Sequence, residues 1–114
     1  MSVACTKENG VGQISLSGPL TAATVEAFRE QFAAWQAEEA TVKNFVFDLS
    51  AVDFMDSAGL GALIAALKRI TERGGDMKLA CLQKKPRMVF EITRAYKVFE
   101  IYDTVEEALN AATE

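Results

Sequence analysis

The chain has 114 residues, of which 50% are hydrophobic and 25% charged, and its 12 basic and 16 acidic side chains give a formal net charge of −4. This length and balance predict one globular domain spanning residues 1–114, rather than two domains or a disordered chain. The acidic charge argues against nucleic-acid binding, and no apolar run approaches the roughly 18 residues of a membrane span.

Histidine is absent, which removes several classes of enzyme. Ser-His-Asp and Cys-His nucleophiles cannot be assembled without it. Only Cys5 and Cys81 could supply soft metal ligands, too few for a structural zinc site, so neither a metal nor another cofactor is expected. Because residues 1–10 lack the apolar core of a signal peptide, we expect a cytoplasmic protein in which both cysteines are reduced core thiols.

The first part of the chain predicts a β-hairpin. Residues 3–5 and 11–17 have the composition of strands, and the second of them alternates apolar and polar side chains. Between them, Asn9 and Gly10 form a dipeptide that tolerates the positive φ angles of a tight turn.

A helix and a buried strand are predicted next. After the break at Gly18 and Pro19, Thr21 is a candidate N-cap for a helix that runs to about Glu38. The apolar stripe of this helix consists of Val25, Phe28, Phe32 and Trp35. Residues 45–49 are nearly all apolar, which is typical of a central strand covered on both faces.

A second helix is expected to begin near Ser57 and to end at Gly74 and Gly75. The side chains expected to face the core are Leu60, Leu63, Ile64, Leu67 and Ile70. Residues 78–82 predict the strand that follows.

The last part of the chain predicts a helix, a strand and a final helix. Pro86 lies in the first turn of the first of these helices, where proline is favoured. The apolar residues that follow it are Met88, Val89 and Ile92. Residues 99–102 predict the strand, and the capping-box letters DTVE at 103–106 open the final helix. Its inward side chains are Val105, Ala108, Leu109 and Ala112.

The predicted order is therefore ββαβαβαβα. This order favours a single-domain α/β layer fold with right-handed crossovers, in which about four helices cover a mixed sheet of about five strands. Such a core is generic, so function is expected in a loop.

The loop that follows the central strand, within residues 50–61, is the strongest candidate for a site. It leaves the carboxyl end of a buried strand, where open α/β sheets place their binding sites. Ser57 lies at the predicted helix N-terminus, where free N–H groups and the helix dipole favour an anion. A phosphate on Ser57 would be tolerated by the fold and would add about −1.5 to −2 charges beside Asp53 and Asp56.

A purely structural interpretation of the same residues stays open. Asp56 or Ser57 could cap the helix, and Gly59 and Gly61 could allow close packing of the helix on the sheet. Phe54 and Met55 either pin the loop to the core or form part of a protein-binding surface. The sequence contains neither the GxxxxGK[ST] phosphate loop nor GxSxG, so nucleotide binding and serine hydrolysis are disfavoured.

The residues of this loop resemble the signature of the STAS domain family, named for sulfate transporters and anti-sigma factor antagonists. The resemblance lies in the letters FDLS at 47–50, in Asp53, and in MDSAGL at 55–60. It extends to GPL at 18–20, VFEIYD at 98–103 and EEAL at 106–109, and so to nearly the whole chain.

This resemblance implies a stand-alone anti-sigma factor antagonist, a binding protein rather than an enzyme. In that family the unphosphorylated protein binds an anti-sigma factor that is also a serine kinase. The kinase phosphorylates the serine at the helix start, here Ser57, and a metal-dependent serine phosphatase reverses the modification. The expected partner-binding surface consists of Thr21, Asp53, Phe54, Met55, Asp56, Ser57, Ala58 and Gly59. No nucleic-acid partner and no direct insertion into a membrane are expected.

One departure from the family pattern supports an alternative. Many phosphorylated members carry an acidic residue before the first helix, where this chain has Thr21. STAS-like domains also serve as unphosphorylated interaction subunits of transport systems, including ABC-type lipid transporters, in which they dock on an ATPase. The basic cluster KKPR at 84–87 is either a solvated loop or a site for a partner's acidic patch.

Overall fold

The computed structural model describes residues 1–113, and in this range the chain forms one five-stranded sheet, four α-helices and a short 3-10 helix. The elements are β1 (Ser2–Glu8), β2 (Val11–Ser17), α1 (Val25–Glu38), β3 (Asn44–Ala51), α2 (Ser57–Glu72), β4 (Asp76–Ala80), α3 (Lys84–Thr93), the 3-10 helix (Ala95–Lys97), β5 (Glu100–Tyr102) and α4 (Val105–Ala112). The strands lie in sequential order; β1 is antiparallel to β2, and all other neighbours are parallel. The predicted element order and mixed sheet are confirmed.

Helices cover both faces of the sheet. The larger apolar cluster joins α1, α2 and α3 to one face, and a smaller cluster joins α4 to the other. In β3, Phe45 and Phe47 belong to the larger cluster and Val46 to the smaller one, because successive side chains of a strand point to opposite faces. The prediction of a central strand buried on both faces is therefore confirmed.

The hairpin and the start of α2 also follow the sequence prediction. Asn9 and Gly10 connect β1 to β2 with φ angles of 52° and 79°, in the left-handed region that this turn requires. Helix α2 begins at Ser57, as expected.

The prediction that Thr21 caps the first helix is wrong. The N-cap of α1 is Thr24, three positions later, and the helix begins at Val25. The Thr24 hydroxyl accepts the N–H of Thr21 at 2.9 Å and donates to the Pro19 carbonyl at 2.9 Å. These bonds hold the preceding residues in a turn, because the threonine side chain offers the backbone an alternative to the helical ladder.

Several finer predictions also differ. Strand β4 begins two residues earlier than expected and ends at Ala80. The Ile64 side chain is 42% exposed, so its predicted place in the core is wrong. It lies towards solvent because α2 contacts the sheet through a narrower stripe, in which Leu60, Leu63 and Ile70 are buried.

Both cysteines are free, but each is half-buried rather than a core residue. Burial raises the pKa of the Cys5 thiol above its ordinary value. Burial, followed by the negative charge of Asp48, raises the pKa of the Cys81 thiol. Both thiols are therefore poor nucleophiles at neutral pH.

Candidate functional site

The loop between β3 and α2 is held against the loop between β2 and α1. The Leu20 N–H donates to the Phe54 carbonyl at 3.0 Å, and the Asp56 N–H donates to the Leu20 carbonyl at 3.4 Å. These bonds accompany a parallel bridge between Leu20 and Met55. Because β2 and β3 are parallel neighbours, both loops leave the same edge of the sheet and can pair there.

Asp56 is the N-cap of α2. One carboxylate oxygen, Oδ1, accepts the Gly59 N–H at 2.9 Å, and the other, Oδ2, accepts the Ala22 N–H at 3.1 Å. These two hydrogen bonds, that of Gly59 first, lower the pKa of the Asp56 carboxyl group below its ordinary value of 3.8. One ionised side chain therefore begins the helix and joins it to the neighbouring loop.

Gly59 and Gly61 have different surroundings. A Cβ atom at Gly59 would overlap the Leu20 carbonyl oxygen, so only glycine lets α2 approach the neighbouring loop this closely. A Cβ atom at Gly61 would have nothing within 4 Å. Close packing thus explains Gly59, whereas the expectation that Gly61 serves the same purpose is wrong because that residue faces open space.

Ser57 is the first residue of α2, and its side chain is exposed. Since Asp56 is the N-cap, the helix start does not depend on the Ser57 hydroxyl. The position lies within the first turn, where the positive end of the helix dipole favours negative charge. A phosphate on this hydroxyl would therefore suit the helix and would stand beside the ionised carboxylate of Asp56.

The two apolar residues of the loop, Phe54 and Met55, differ in burial. Met55 is 2% exposed and packs into the larger cluster, so it pins the loop. Phe54 is 49% exposed. Next to it, Asp53 is also exposed, whereas Ala58 is half-buried and Gly59 is buried.

Thr21 lies in the turn that Asp56 binds. Its hydroxyl accepts the Ala23 N–H at 3.3 Å, and its side chain is half-buried. The connection to Asp56 runs through the backbone of Ala22, which sequence analysis did not identify, and through that of Leu20. No sequence signal could have identified these two residues, because a backbone N–H or carbonyl is common to nearly all residue types.

The described residues contain neither a cluster of metal-ligating side chains nor a helix suited to crossing a membrane. Within residues 1–113, no group of three or more His, Cys, Asp or Glu side chains is placed to hold a metal ion. In the same part of the chain, none of the helices combines the length and apolar character that crossing a membrane requires.

Known proteins match this chain over most of its length. The family model described as the STAS domain matches residues 2–108. The anti-sigma-B factor antagonist of Listeria monocytogenes is 32% identical over 97 residues, which cover 85% of this chain and 82% of that protein.

Two solved structures show the same fold. An anti-sigma factor antagonist from Mycobacterium paratuberculosis superposes with a TM-score of 0.87 and 27% identity, covering 99% of this chain and 94% of that one. An anti-sigma factor antagonist (STAS) domain protein from Planctomyces limnophilus superposes with a TM-score of 0.81 and 26% identity, covering 96% of both chains.

Proposed function

Because the chain belongs to the STAS domain family, we propose that it is an anti-sigma factor antagonist controlled by phosphorylation of Ser57. In its unmodified form it binds an anti-sigma factor and so frees a sigma factor for transcription. Phosphorylation ends this binding. The antagonist names of its relatives support the general role.

The observation that carries this proposal is that Asp56 caps α2 while its neighbour Ser57 is exposed. The Ser57 hydroxyl is therefore available to a kinase. A modification of Ser57 therefore leaves intact the hydrogen bonds between the start of α2 and the loop that joins β2 to α1. The fold can persist in both states, as a reversible switch requires.

The electrostatics of the site account for the loss of binding. A phosphate adds about −1.5 to −2 charges at neutral pH. It would add to the negative charge of Asp53 and Asp56, in a loop that also carries the exposed ring of Phe54. A partner surface that accepts the neutral serine would then face an added charge that must lose water, which costs binding free energy.

The proposal assigns complementary roles to other proteins. The anti-sigma factor acts as the serine kinase, a metal-dependent phosphatase restores the hydroxyl, and the chain itself is a substrate and binding protein rather than an enzyme. All of these reactions take place in the bacterial cytoplasm, where ATP and the transcription machinery are available.

Phosphate mapping tests this function directly. The purified chain, a Ser57→Ala variant and a Ser50→Ala control are each incubated with ATP and the anti-sigma factor kinases of the same genome. Ser50 is a suitable control because it is also exposed and lies at the end of β3. We expect mass spectrometry to find one phosphate, on Ser57, in the wild type and in Ser50→Ala only. Phosphate at another residue, or none from a kinase that modifies a second substrate, would contradict the proposal.

A second candidate function is supported by Thr21. A threonine stands where many phosphorylated relatives have a carboxylate, and its hydroxyl binds the local turn instead. This favours a constitutive interaction subunit that docks on the ATPase of a transport system, such as an ABC-type lipid transporter. Binding of the purified chain to such an ATPase, unchanged in Ser57→Asp, would favour this second function over the first.

A further inference from the structure

Most of the large exposed apolar side chains lie in one short segment of the chain. The large ones in the described chain are Phe54, Ile64, Met88, Ile92, Tyr96 and Val98. Four of these six follow one another within residues 88–98, where Ile92 is 81% exposed. A concentration of this kind marks an interaction surface more often than scattered single residues do.

The same segment has a net positive charge, whereas the rest of the chain is net negative. Residues 84–98 contain five cations and one anion, a formal charge of +4, whereas the rest of the chain has seven cations and fifteen anions, a charge of −8. The four exposed apolar side chains and the five cations of residues 84–98 are together called the α3 patch. The patch consists of Met88, Ile92, Tyr96, Val98, Lys84, Lys85, Arg87, Arg94 and Lys97. Within residues 1–113, none of the five cations forms a salt bridge.

Local helix stability does not explain the cations at the start of α3. Helix α3 has no side-chain cap at Gln83 and no acidic residue in its first turn, which instead contains Lys84 and Lys85. Cations at that end oppose the helix dipole. Helix α4 of the same protein shows the favourable arrangement, with a Thr104 cap followed by Glu106 and Glu107. The chain therefore supplies no counter-charge for the cations at the start of α3. An acidic group of a partner could supply it.

A groove lies beside the patch. It has a volume of about 530 Å³ and lies between α3, the 3-10 helix and β5. Its lining residues are Leu82, Arg87, Phe90, Glu91, Tyr96 and Ile101. Of these residues, Leu82 and Phe90 are buried, whereas Arg87 and Glu91 bring charge to the groove. An apolar groove of this size with charged residues in its lining is suited to one large apolar side chain of a partner protein.

The start of the α3 patch, at Lys84 and Lys85, is also well placed relative to Ser57. Strands β3 and β4 are parallel neighbours, so α2 and α3 both begin at the edge of the sheet formed by the carboxyl ends of these strands. The two helices are in contact. A partner bound at the start of α2 could therefore reach the start of α3.

From these observations we propose that the α3 patch is a second contact surface for the protein partner. It takes an acidic segment of that partner and receives an apolar side chain of the segment in the groove. The proposal rests on the function inferred above, since it assigns this segment to the anti-sigma factor. A protein is favoured over an anionic membrane because the groove is concave and the net charge of −4 opposes adsorption to anionic lipid.

Charge reversal with a matched control tests the patch. The variant Lys84→Glu/Lys85→Glu places acids in the first turn of α3, where they favour the helix, so its folding is preserved. The control Lys43→Glu/Arg73→Glu makes the same change in charge at exposed residues before β3 and β4, at the edge of the sheet opposite to Lys84 and Lys85. Binding to the anti-sigma factor that recognises the wild type is measured by calorimetry at two salt concentrations.

We expect the Lys84→Glu/Lys85→Glu affinity to be at least about tenfold weaker and less dependent on salt, with the control within about twofold of the wild type. Ile92→Ser, which changes an exposed side chain, should also weaken binding. Equal affinities for the wild type and both α3 variants would overturn the proposal and leave the Ser57 switch untouched.

An independent measurement does not require the anti-sigma factor. The isotope-labelled chain is titrated with a synthetic amphipathic helix of leucine and glutamate, with its lysine counterpart, and with phosphatidylglycerol vesicles. Amide shifts within residues 84–98 that only the glutamate peptide causes would support the patch even if every anti-sigma factor failed to bind. Shifts caused by the vesicles but not by this peptide, or by both peptides equally, would overturn it.

Discussion

The Asp56 carboxylate accepts a hydrogen bond of 3.1 Å from the backbone N–H of Ala22, a residue 34 positions earlier in the chain. The same carboxylate caps α2 through the Gly59 N–H. One side chain thus joins the start of a helix to a loop that leaves the neighbouring strand. This arrangement leaves the adjacent Ser57 free of a structural task.

The separation of capping from modification predicts opposite effects of two neighbouring substitutions. We expect Asp56→Ala to lower the melting temperature by several degrees, because both the Gly59 and the Ala22 N–H groups lose their acceptor. Ser57→Ala should leave it within about one degree of the wild type, as for other exposed sites. Thermal unfolding followed by circular dichroism gives both values. An equal or larger loss in Ser57→Ala would show that the serine caps the helix.

The same carboxylate predicts a dependence of stability on pH. Because folding lowers the Asp56 pKa below 3.8, this group stabilises the folded state above that pH, and its contribution is lost as the pH falls through the folded-state pKa. Asp56→Asn keeps a capping oxygen but cannot titrate. The difference in melting temperature between wild type and Asp56→Asn should therefore shrink as the pH falls from 7 to about 3. A difference that stays constant over this range would show that the carboxylate is not stabilised as described.

A charge at Ser57 is expected to weaken partner binding without unfolding the protein. Ser57→Asp should lower the affinity for the anti-sigma factor at least about tenfold, equivalent to about 1.4 kcal/mol. Thr41→Asp, with the same added charge at an exposed residue before β3, at the opposite edge of the sheet from Ser57, is the matched control. Calorimetric titration of both variants gives the ratio. Unchanged affinity in Ser57→Asp, or an equal loss in the control, would contradict a specific role of Ser57.

Phe54 and Met55 should separate binding from stability. Met55→Ala removes a side chain that is 2% exposed, and we expect the free energy of unfolding to fall by about 2–4 kcal/mol. Phe54→Ala removes a half-exposed ring and should cost less than about 1 kcal/mol of stability while weakening partner binding. Urea denaturation and calorimetry measure the two effects. If Phe54→Ala bound as tightly as the wild type, Phe54 would not belong to the interface.

The two glycines of α2 should respond to alanine in opposite directions. Gly59→Ala forces a methyl group against the Leu20 carbonyl, and we expect a loss of about 2–3 kcal/mol in the free energy of unfolding. Gly61→Ala meets nothing within 4 Å and should gain up to about 1 kcal/mol, because alanine favours the helix. Urea denaturation of the two variants provides the comparison. A stable Gly59→Ala variant would mean that the two loops are less closely packed than described.

Much of the fold was predictable because it depends on local patterns. The Asn9-Gly10 turn, the buried strand around Phe47 and the start of α2 at Ser57 all follow from neighbouring residues, and the structure confirms them. The start of α1 was not predictable in this way. Thr21 has the composition of an N-cap, but bonds of Thr24 to Thr21 and Pro19 favour a turn instead.

The sequence by itself determined the order of helices and strands, the exclusion of histidine chemistry and the position of Ser57 at a helix start, since each depends on residue type and spacing. Only the tertiary structure decided that Asp56 rather than Ser57 caps α2, that Gly59 but not Gly61 is required for packing, and that Met55 is buried while Phe54 is exposed. The physical reason is the loop between β2 and α1, which meets Gly59 at the Leu20 carbonyl, pairs with Met55 and donates the Ala22 N–H to Asp56. Its backbone N–H and carbonyl groups come within reach only after parallel strands bring two distant segments to the same edge of the sheet.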